Sequence, residues 1–253
     1  MTMNPALLLL TDSRLPAGGH AHSGGTEAAI ATGAVHDVAS LAAFLRGRLH
    51  TSGHIAAALA AAACAMSATR FPDTSWDLLD AEADARTASP AQRAASRTQG
   101  RLLLRVARRL WPSPTPDDLA AGSNLRRSLA LDDLALAVPN PHHPIALGAA
   151  AHAAGASPED AALAAAYHAI TGPATAAVRL LGLDPVAVHG LLADLAPDLT
   201  ATASDTTPSD LTATASDAPP YGRLWAELPA RSAPALDLLA ERHAGAAVRL
   251  FVS

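Results

Sequence analysis

The sequence IAAALAAAACAM, residues 55–66, has no ionisable side chain except the thiol of Cys64. Alanine has the highest intrinsic helix propensity. A helix that is apolar on every side is buried in a protein core or a membrane. Twelve residues are too few to cross a bilayer, which needs about 20. We therefore predict a buried helix through the middle of a helical bundle, with Cys64 as a small core residue.

The composition extends this prediction to the rest of the chain. Hydrophobic residues make up 50% of the 253 residues, but aromatic residues only 3%. The core must therefore consist of Ala, Leu and Val, whose small side chains let helices approach closely. No segment shows the alternating pattern of a strand. We expect a single domain over residues 1–253, an all-α bundle of about ten helices with little or no sheet.

Charge and cysteine content exclude several classes. The net charge is −5, and all 18 cationic side chains are arginines. No global field attracts nucleic acid or an anionic membrane, so we expect neither as a partner. A single cysteine cannot form an intramolecular disulfide and suits a reducing compartment. No basic segment with a long apolar run marks a signal peptide. We expect a cytoplasmic protein.

Several helix boundaries carry local signals. Asp37 is a plausible N-cap, and Ser89-Pro90, Ser157-Pro158 and Asp184-Pro185 each place a capping side chain before proline. Gln92 completes a capping box with Ser89. Ser52-Gly53 marks a possible break, and Gly172-Pro173 predicts a kink or break. Gly182 indicates a helix end.

The composition changes after residue 197. The octapeptide DLTATASD occurs at 198–205 and again at 210–217. Because these residues lack apolar periodicity, we predict a flexible low-complexity linker over 198–219. A short helix near 235–243 follows, and the chain ends in RLFVS. Bulky apolar residues at a terminus would normally fray. We expect the segment 235–253 to dock, either on the chain's own core or on a partner.

A glycine-rich loop interrupts the N-terminal region, LLLTDSRLPAGGHAHSGGTEAAIAT (8–32). Glycine is used where the backbone adopts positive φ or packs very close to a neighbour. The spacing imitates a phosphate-binding loop, but Gly25 stands where such a loop needs lysine. Two interpretations remain open. The loop is either a helix–helix corner or a rigid support that presents Asp12, His20, His22 or Glu27 to a partner or a metal.

Five arginines recur every four residues at 93, 97, 101, 105 and 109. Such a stripe winds slowly around a helix. It forms either a solvated face paired with Glu82 and Asp84 or a basic surface for an acidic protein.

The histidines do not define a metal or catalytic site. His20-x-His22 and His142-His143 lack the ligand spacing of a closed zinc site. A weak nickel or copper contact remains open. His168 and His189 fall within helices and are predicted to be core or interface residues. No spacing selects a catalytic set, so we expect no enzyme activity, no cofactor and no resident metal.

Four segments resemble the UreF family of urease accessory proteins. The first segment matches through Asp12, Ser13, Pro16, Gly18, His22, Ser23, Gly25 and Glu27, whereas Thr26 stands where leucine is usual. The second, SRTQGRLLLRVARRL (96–110), contains Arg97 and Arg101. The third matches through Gly148, Gly155, Ala177, Arg179, Leu180 and Gly182. The last matches through His243, Arg249, Leu250, Phe251 and Ser253, with departures at Ala244 and Ala247.

This resemblance implies an all-α, commonly dimeric protein that bridges UreD (also called UreH) and the GTPase UreG. The assembly delivers nickel to urease apoprotein in a GTP-dependent manner. The matched positions imply partner-binding roles for Asp12, His22, Ser23, Glu27, Arg97, Arg101, Arg179, His243, Arg249, Leu250 and Phe251. The alternatives are a nucleotide- or metal-dependent enzyme that uses the Gly/His loop, and a stand-alone nickel carrier.

Overall fold

The computed structural model describes residues 4–68, 76–114, 128–207, 225 and 228–251. In these ranges the chain forms eleven α-helices and no strand, which confirms the all-α prediction. The helices are α1 Pro5–Thr11, α2 Thr26–Ala31, α3 Val38–Ala68, α4 Trp76–Ala85, α5 Pro90–Leu110, α6 Leu129–Ala137, α7 His143–Ala153, α8 Pro158–Leu181, α9 Pro185–Asp194, α10 Ala196–Thr206 and α11 Pro234–Ala244. A short 3-10 helix spans Gly19–Ala21.

The predicted central helix is the C-terminal half of α3, His54–Ala68, and it packs mainly against α7 and α8. Nearly all of residues 55–66 are buried, including Cys64, as predicted. Burial raises the pKa of the Cys64 thiol to about 12, so the thiol is neutral. The predicted break at Ser52-Gly53 is instead a π-helical stretch, Leu49–Gly53, within a continuous helix.

Opposite faces of this helix belong to two hydrophobic clusters. Ala58, Leu59 and Ala62 face the cluster that α1 and α4–α7 share, whereas Ala57 and Ala61 face the cluster that α2, α9 and α10 share. The helix is long and apolar enough to cross a membrane, but 72% of its most apolar 18-residue segment is buried inside the bundle. Its apolar surface is thus accounted for by packing within the protein.

The close contact between α3 and α7 requires glycine at position 148. A Cβ added to Gly148 would overlap the carbonyl oxygen of Ala60 and would lie 2.7 Å from the Cβ of Ala63. Backbone atoms cannot move aside as a flexible side chain can. The two helices therefore pack backbone against backbone at this point.

Most predicted helix boundaries are confirmed. Side chains of Asp37, Ser89, Ser157 and Asp184 accept hydrogen bonds from the first turns of their helices, and Gly182 ends α8 at φ 65°. The predicted capping box at Ser89 is only half formed. The side chain of Gln92 donates instead to Asp237 Oδ1 at 3.2 Å, and this bond joins α5 to α11.

Helix α8 does not break at Gly172-Pro173 but continues from Pro158 to Leu181. A proline inside a helix removes the hydrogen bond to the carbonyl four residues earlier. That carbonyl belongs to Ala169, and Arg48 Nε donates to it at 2.8 Å. A side chain from α3 therefore replaces the missing backbone donor, and the helix can continue.

The predicted linker over 198–219 is wrong for its first part. The first DLTATASD copy lies in α10, which packs against α8 and α3. Leu199, Thr202, Ala203 and Thr206 are buried at helical spacing, and Thr206 Oγ1 donates to the carbonyl of Thr202 at 2.7 Å. Thr206 can be buried because its hydroxyl bonds within the helix. The second copy, residues 210–217, lies outside the described residues.

We predict opposite effects of one substitution at two helical glycines. Gly148→Ala should lower the free energy of unfolding by about 1–3 kcal/mol, because the added methyl group meets a backbone oxygen. Gly190→Ala, in α9 with nothing near its Cβ position, should raise it by about 0.5–1 kcal/mol. Urea denaturation measures both. Equal stabilisation by the two substitutions would contradict the close contact at Gly148.

Candidate partner-binding site

The glycine loop between α1 and α2 is a shaped backbone, as predicted. Gly18, Gly24 and Gly25 have φ of 79°, 61° and 89°, which side chains rarely adopt. A Cβ on Gly24 would also lie 3.0 Å from Pro173 Cγ and 3.1 Å from Arg48 Nη2. The loop follows a helix, whereas a phosphate-binding loop follows a strand. This arrangement argues against the nucleotide-binding alternative.

The predicted site residues on this loop have different environments. His22 is 7% exposed, and Ser23 and Thr26 are fully buried. Ser23 Oγ accepts from the Glu27 amide at 3.4 Å, and Thr26 Oγ1 donates to the Pro173 carbonyl at 3.4 Å. His22 and Ser23 therefore support the loop from inside, whereas Glu27 is only partly buried.

Glu27 binds the C-terminal tail, residues 245–251. Its two carboxylate oxygens accept hydrogen bonds from the amides of Leu250 at 2.9 Å and Phe251 at 3.0 Å. His243 Nε2 lies 3.8 Å from Glu27 Oε2 and 3.2 Å from the Phe251 carbonyl oxygen. His243 itself is only 6% exposed. The structure thus brings four of the predicted residues together, and the tail docks on its own chain through its backbone.

The side chains of the tail remain largely available. Leu250 is 74% exposed, Arg249 is exposed, and Phe251 is half-buried. The preceding helix α11 is held on α5, where Glu241 Oε1 accepts from the Ala91 amide at 2.9 Å and from the Ser89 hydroxyl. A fixed backbone with exposed side chains is an arrangement suited to contact with another protein.

Arg97 belongs to a different cluster, between α4, α5 and the start of α7. Its guanidinium pairs with Asp80 at 2.8 Å and Asp84 at 2.7 Å, and His142 Nε2 lies 2.9 Å from Asp84 Oδ1. The His142 amide donates to Asp80 Oδ1 at 3.0 Å. Burial lowers the pKa of His142, although Asp84 favours its charged form. These contacts indicate that Arg97 holds three helices together.

The ligand atoms of Asp80, Asp84 and His142 all lie within 4.8 Å of one another, a spacing that could hold a metal ion. Arg97 already pairs with both carboxylates, however, and a cation would have to displace the guanidinium. The cluster is therefore better explained as a structural ion-pair network. Sequence reasoning missed it, although Asp80 and Asp84 stand one helical turn apart before the arginine stripe.

The arginine stripe is not one uniform surface. Arg93 and Arg97 pair with Asp84, and Arg108 pairs with Asp132, whereas Arg101 is exposed. Of the two acidic residues near the stripe in sequence, Asp84 pairs with it, whereas Glu82 pairs with Arg86.

Two further predicted site residues lie away from the tail. Asp12 pairs with Arg14 at 2.7 Å, and this hydrogen bond lowers the pKa of Asp12 to about 2. Arg179 is exposed in the last turn of α8. Within the described residues, neither contacts the tail.

The helical histidines divide into two types. His143 and His168 are close neighbours, with ring centroids 5.7 Å apart. Burial lowers the pKa of His143 to about 3 and that of His168 to about 4, so both are neutral near pH 7. His168 is partly buried between helices, whereas His189 is exposed and bonds to the Pro185 carbonyl of its own helix, so His189 is not a core residue.

We predict that Glu27 controls the order of the tail. Glu27→Gln should speed hydrogen exchange at the amides of Leu250 and Phe251, because a neutral amide is a weaker acceptor than a carboxylate. Asp194→Asn, an exposed charge removal on α9, should leave those two rates unchanged. Amide hydrogen exchange measured by NMR tests this prediction. Unaltered exchange rates in Glu27→Gln would show that other contacts hold the tail.

His143 and His168 predict a pH-dependent stability. The unfolded chain binds protons at these imidazoles below about pH 6.5, whereas the folded chain does so only near pH 4 and pH 3. Unfolding therefore takes up protons, and stability present above pH 6.5 is lost as the pH falls toward the folded values. Each histidine contributes a slope of up to about 1.4 kcal/mol per pH unit.

Removing one of these histidines should weaken the dependence of stability on pH. Urea denaturation at about pH 7 and about pH 5 should show a smaller loss of stability for His168→Gln than for the unmodified chain. His189→Gln, at an exposed histidine, should behave like the unmodified chain. An unchanged dependence in His168→Gln would mean that this imidazole is protonated in the folded state.

Comparison with known proteins assigns most of this chain to one protein family. A family model described as UreF matches residues 35–196. A urease accessory protein UreF from Mycolicibacterium vanbaalenii is 42% identical over 253 residues and is covered completely, as is this chain. The corresponding proteins from Mycobacterium marinum and Mycobacterium tuberculosis are 40% and 38% identical, again with both chains fully covered. This chain therefore belongs to the UreF family of urease accessory proteins.

Proposed function

We propose that this protein is a maturation chaperone that bridges UreD (UreH), the GTPase UreG and urease apoprotein during GTP-dependent nickel insertion. It acts through protein contacts and modulates the GTPase, without catalysing a reaction of its own. Membership of the UreF family supports the accessory role. The resemblance of the tail to the family's complex-forming tail supports these partners. By the same resemblance, we propose that it works as a cytoplasmic homodimer.

The observation that carries this proposal is the way the tail is held. Glu27 binds the tail only through backbone amides, so the side chains of Arg249 and Leu250 remain exposed. Exposed arginine beside large apolar side chains is a frequent composition of binding hot spots. A tail that was needed only for folding would be expected to bury Leu250.

The loop and the tail together define the proposed contact surface. Glu27 fixes the tail, and His22 and Ser23 support the loop that positions Glu27. We assign the partner contact to Arg249, Leu250 and Phe251 and a supporting role to the loop residues. Arg97 is assigned to the fold, since both of its carboxylate partners lie within the bundle.

We predict that Arg249→Ala leaves the free energy of unfolding within about 1 kcal/mol, as for most surface substitutions, but weakens GTPase recruitment and urease activation. The matched control is Arg242→Ala, which removes an exposed arginine from α11. A thermal melt and a pull-down with UreD, UreG and urease apoprotein, with and without GTP, measure the two effects.

The two readouts separate the outcomes. A large loss of stability in Arg249→Ala would assign Arg249 to the fold, and an undiminished pull-down would remove it from the interface. Equal loss of recruitment in Arg242→Ala would mean that general charge, not the tail, attracts the GTPase.

A further inference from the structure

A cavity of about 390 Å³ lies between the glycine loop, α3, α5, α7, α8 and the C-terminal segment. This volume falls within the roughly 300–1,000 Å³ of small-molecule sites. Its wall combines apolar side chains such as Ile55, Leu59 and Leu236 with the polar side chains of Gln92 and Gln99. The cavity is thus large enough to hold a small organic molecule, and its wall has both apolar and polar side chains.

The charges on the wall have one sign. Arg48 and Arg249 both border the cavity, and no Asp or Glu is among the described residues that line it. His143 and His168, which also line it, are neutral near pH 7 because burial lowers their pKa values. His142 is already paired with Asp84. The positive charge of the cavity therefore comes from the two guanidinium groups.

Of these two arginines, Arg48 gives the stronger indication of a missing counter-charge. Its Nε and Nη1 donate to the carbonyls of Ala169 and Gly24, each at 2.8 Å. Among the described residues, no carboxylate pairs with it. Burial lowers the pKa of Arg48 to about 10, so it stays charged at neutral pH. A desolvated charge is costly unless an opposite charge accompanies it. Two neutral carbonyls satisfy donors but supply no counter-charge.

Arg249 reaches the same cavity from the tail. It is exposed, and within the described part of the chain it has no ion-pair partner. The amides of the next two residues are fixed by Glu27, so the position of Arg249 along the wall is fixed as well. Two guanidinium groups from distant parts of the sequence, neither paired with a carboxylate among the described residues, therefore border one partly open cavity.

We propose that this cavity binds a small organic anion carrying a carboxylate or phosphate group, with Arg48 and Arg249 as its charged ligands. Guanidinium groups match the geometry of both oxyanions. Gln99 also borders the cavity and offers a polar side chain on the wall. A bound anion would join α3 to the tail. It would thereby strengthen the attachment of the tail, which Glu27 already binds. This inference goes beyond the proposed accessory role and does not depend on it.

Isothermal titration of the full chain tests the proposal with inorganic phosphate and citrate as probes, at constant ionic strength set with sodium chloride. We expect saturable binding of at least one probe, and the tighter probe identifies the anionic group. Arg249→Gln should weaken binding at least about tenfold, as loss of a charge-assisted hydrogen bond does. Arg48→Gln should abolish it.

The matched control is Arg46→Gln, which removes an exposed arginine from the same helix as Arg48. It should leave the affinity unchanged. Circular dichroism identifies an Arg48→Gln variant that fails to fold, and Arg249→Gln then decides alone. Absence of saturable binding by both probes, or equal weakening in Arg46→Gln and Arg249→Gln, would overturn the proposal. Because no partner protein is present, neither result depends on complex formation.

Discussion

The fold depends on how closely other helices can approach the buried half of α3. With few aromatic side chains, the core gains stability from many small contacts and not from a few large ones. Such contacts form only where backbones come close together, as at Gly148 against the carbonyl of Ala60. This half of α3 contributes to both hydrophobic clusters, and the bundle is arranged around it.

A second constraint connects this core to the surface. Pro173 removes the backbone donor that the Ala169 carbonyl would otherwise receive, and Arg48 replaces it. The same guanidinium bonds to the carbonyl of Gly24, at the positive-φ turn that precedes α2. Glu27 in the first turn of α2 then binds the tail. A continuous series of contacts therefore runs from α8 through Arg48 and the glycine loop to the C-terminal segment.

The ionisable groups of the bundle and the tail have different roles. Arg97, Asp80, Asp84 and His142 neutralise one another between helices, so they contribute to the architecture. Glu27 and His243 hold the tail. Arg48 and Arg249 have no carboxylate partner among the described residues, which distinguishes them from the other clusters. Arg48 bonds to the carbonyls of Ala169 and Gly24 instead, so it has a structural role as well as a charge that no described carboxylate neutralises.

The sequence by itself determined the helical class, the buried segment 55–66, the caps at Asp37, Ser89, Ser157 and Asp184, and the helix end at Gly182. These features are local, because a cap or a glycine turn depends on residues within about four positions. Only the tertiary structure decided that residues 198–206 form a helix with a buried face, since Thr206 is polar by composition but its hydroxyl bonds within the helix. It alone decided the partners of Arg48 and Glu27, which lie 24 to 224 residues away along the chain. Charge pairing over such separations depends on how helices pack, and no local pattern encodes it.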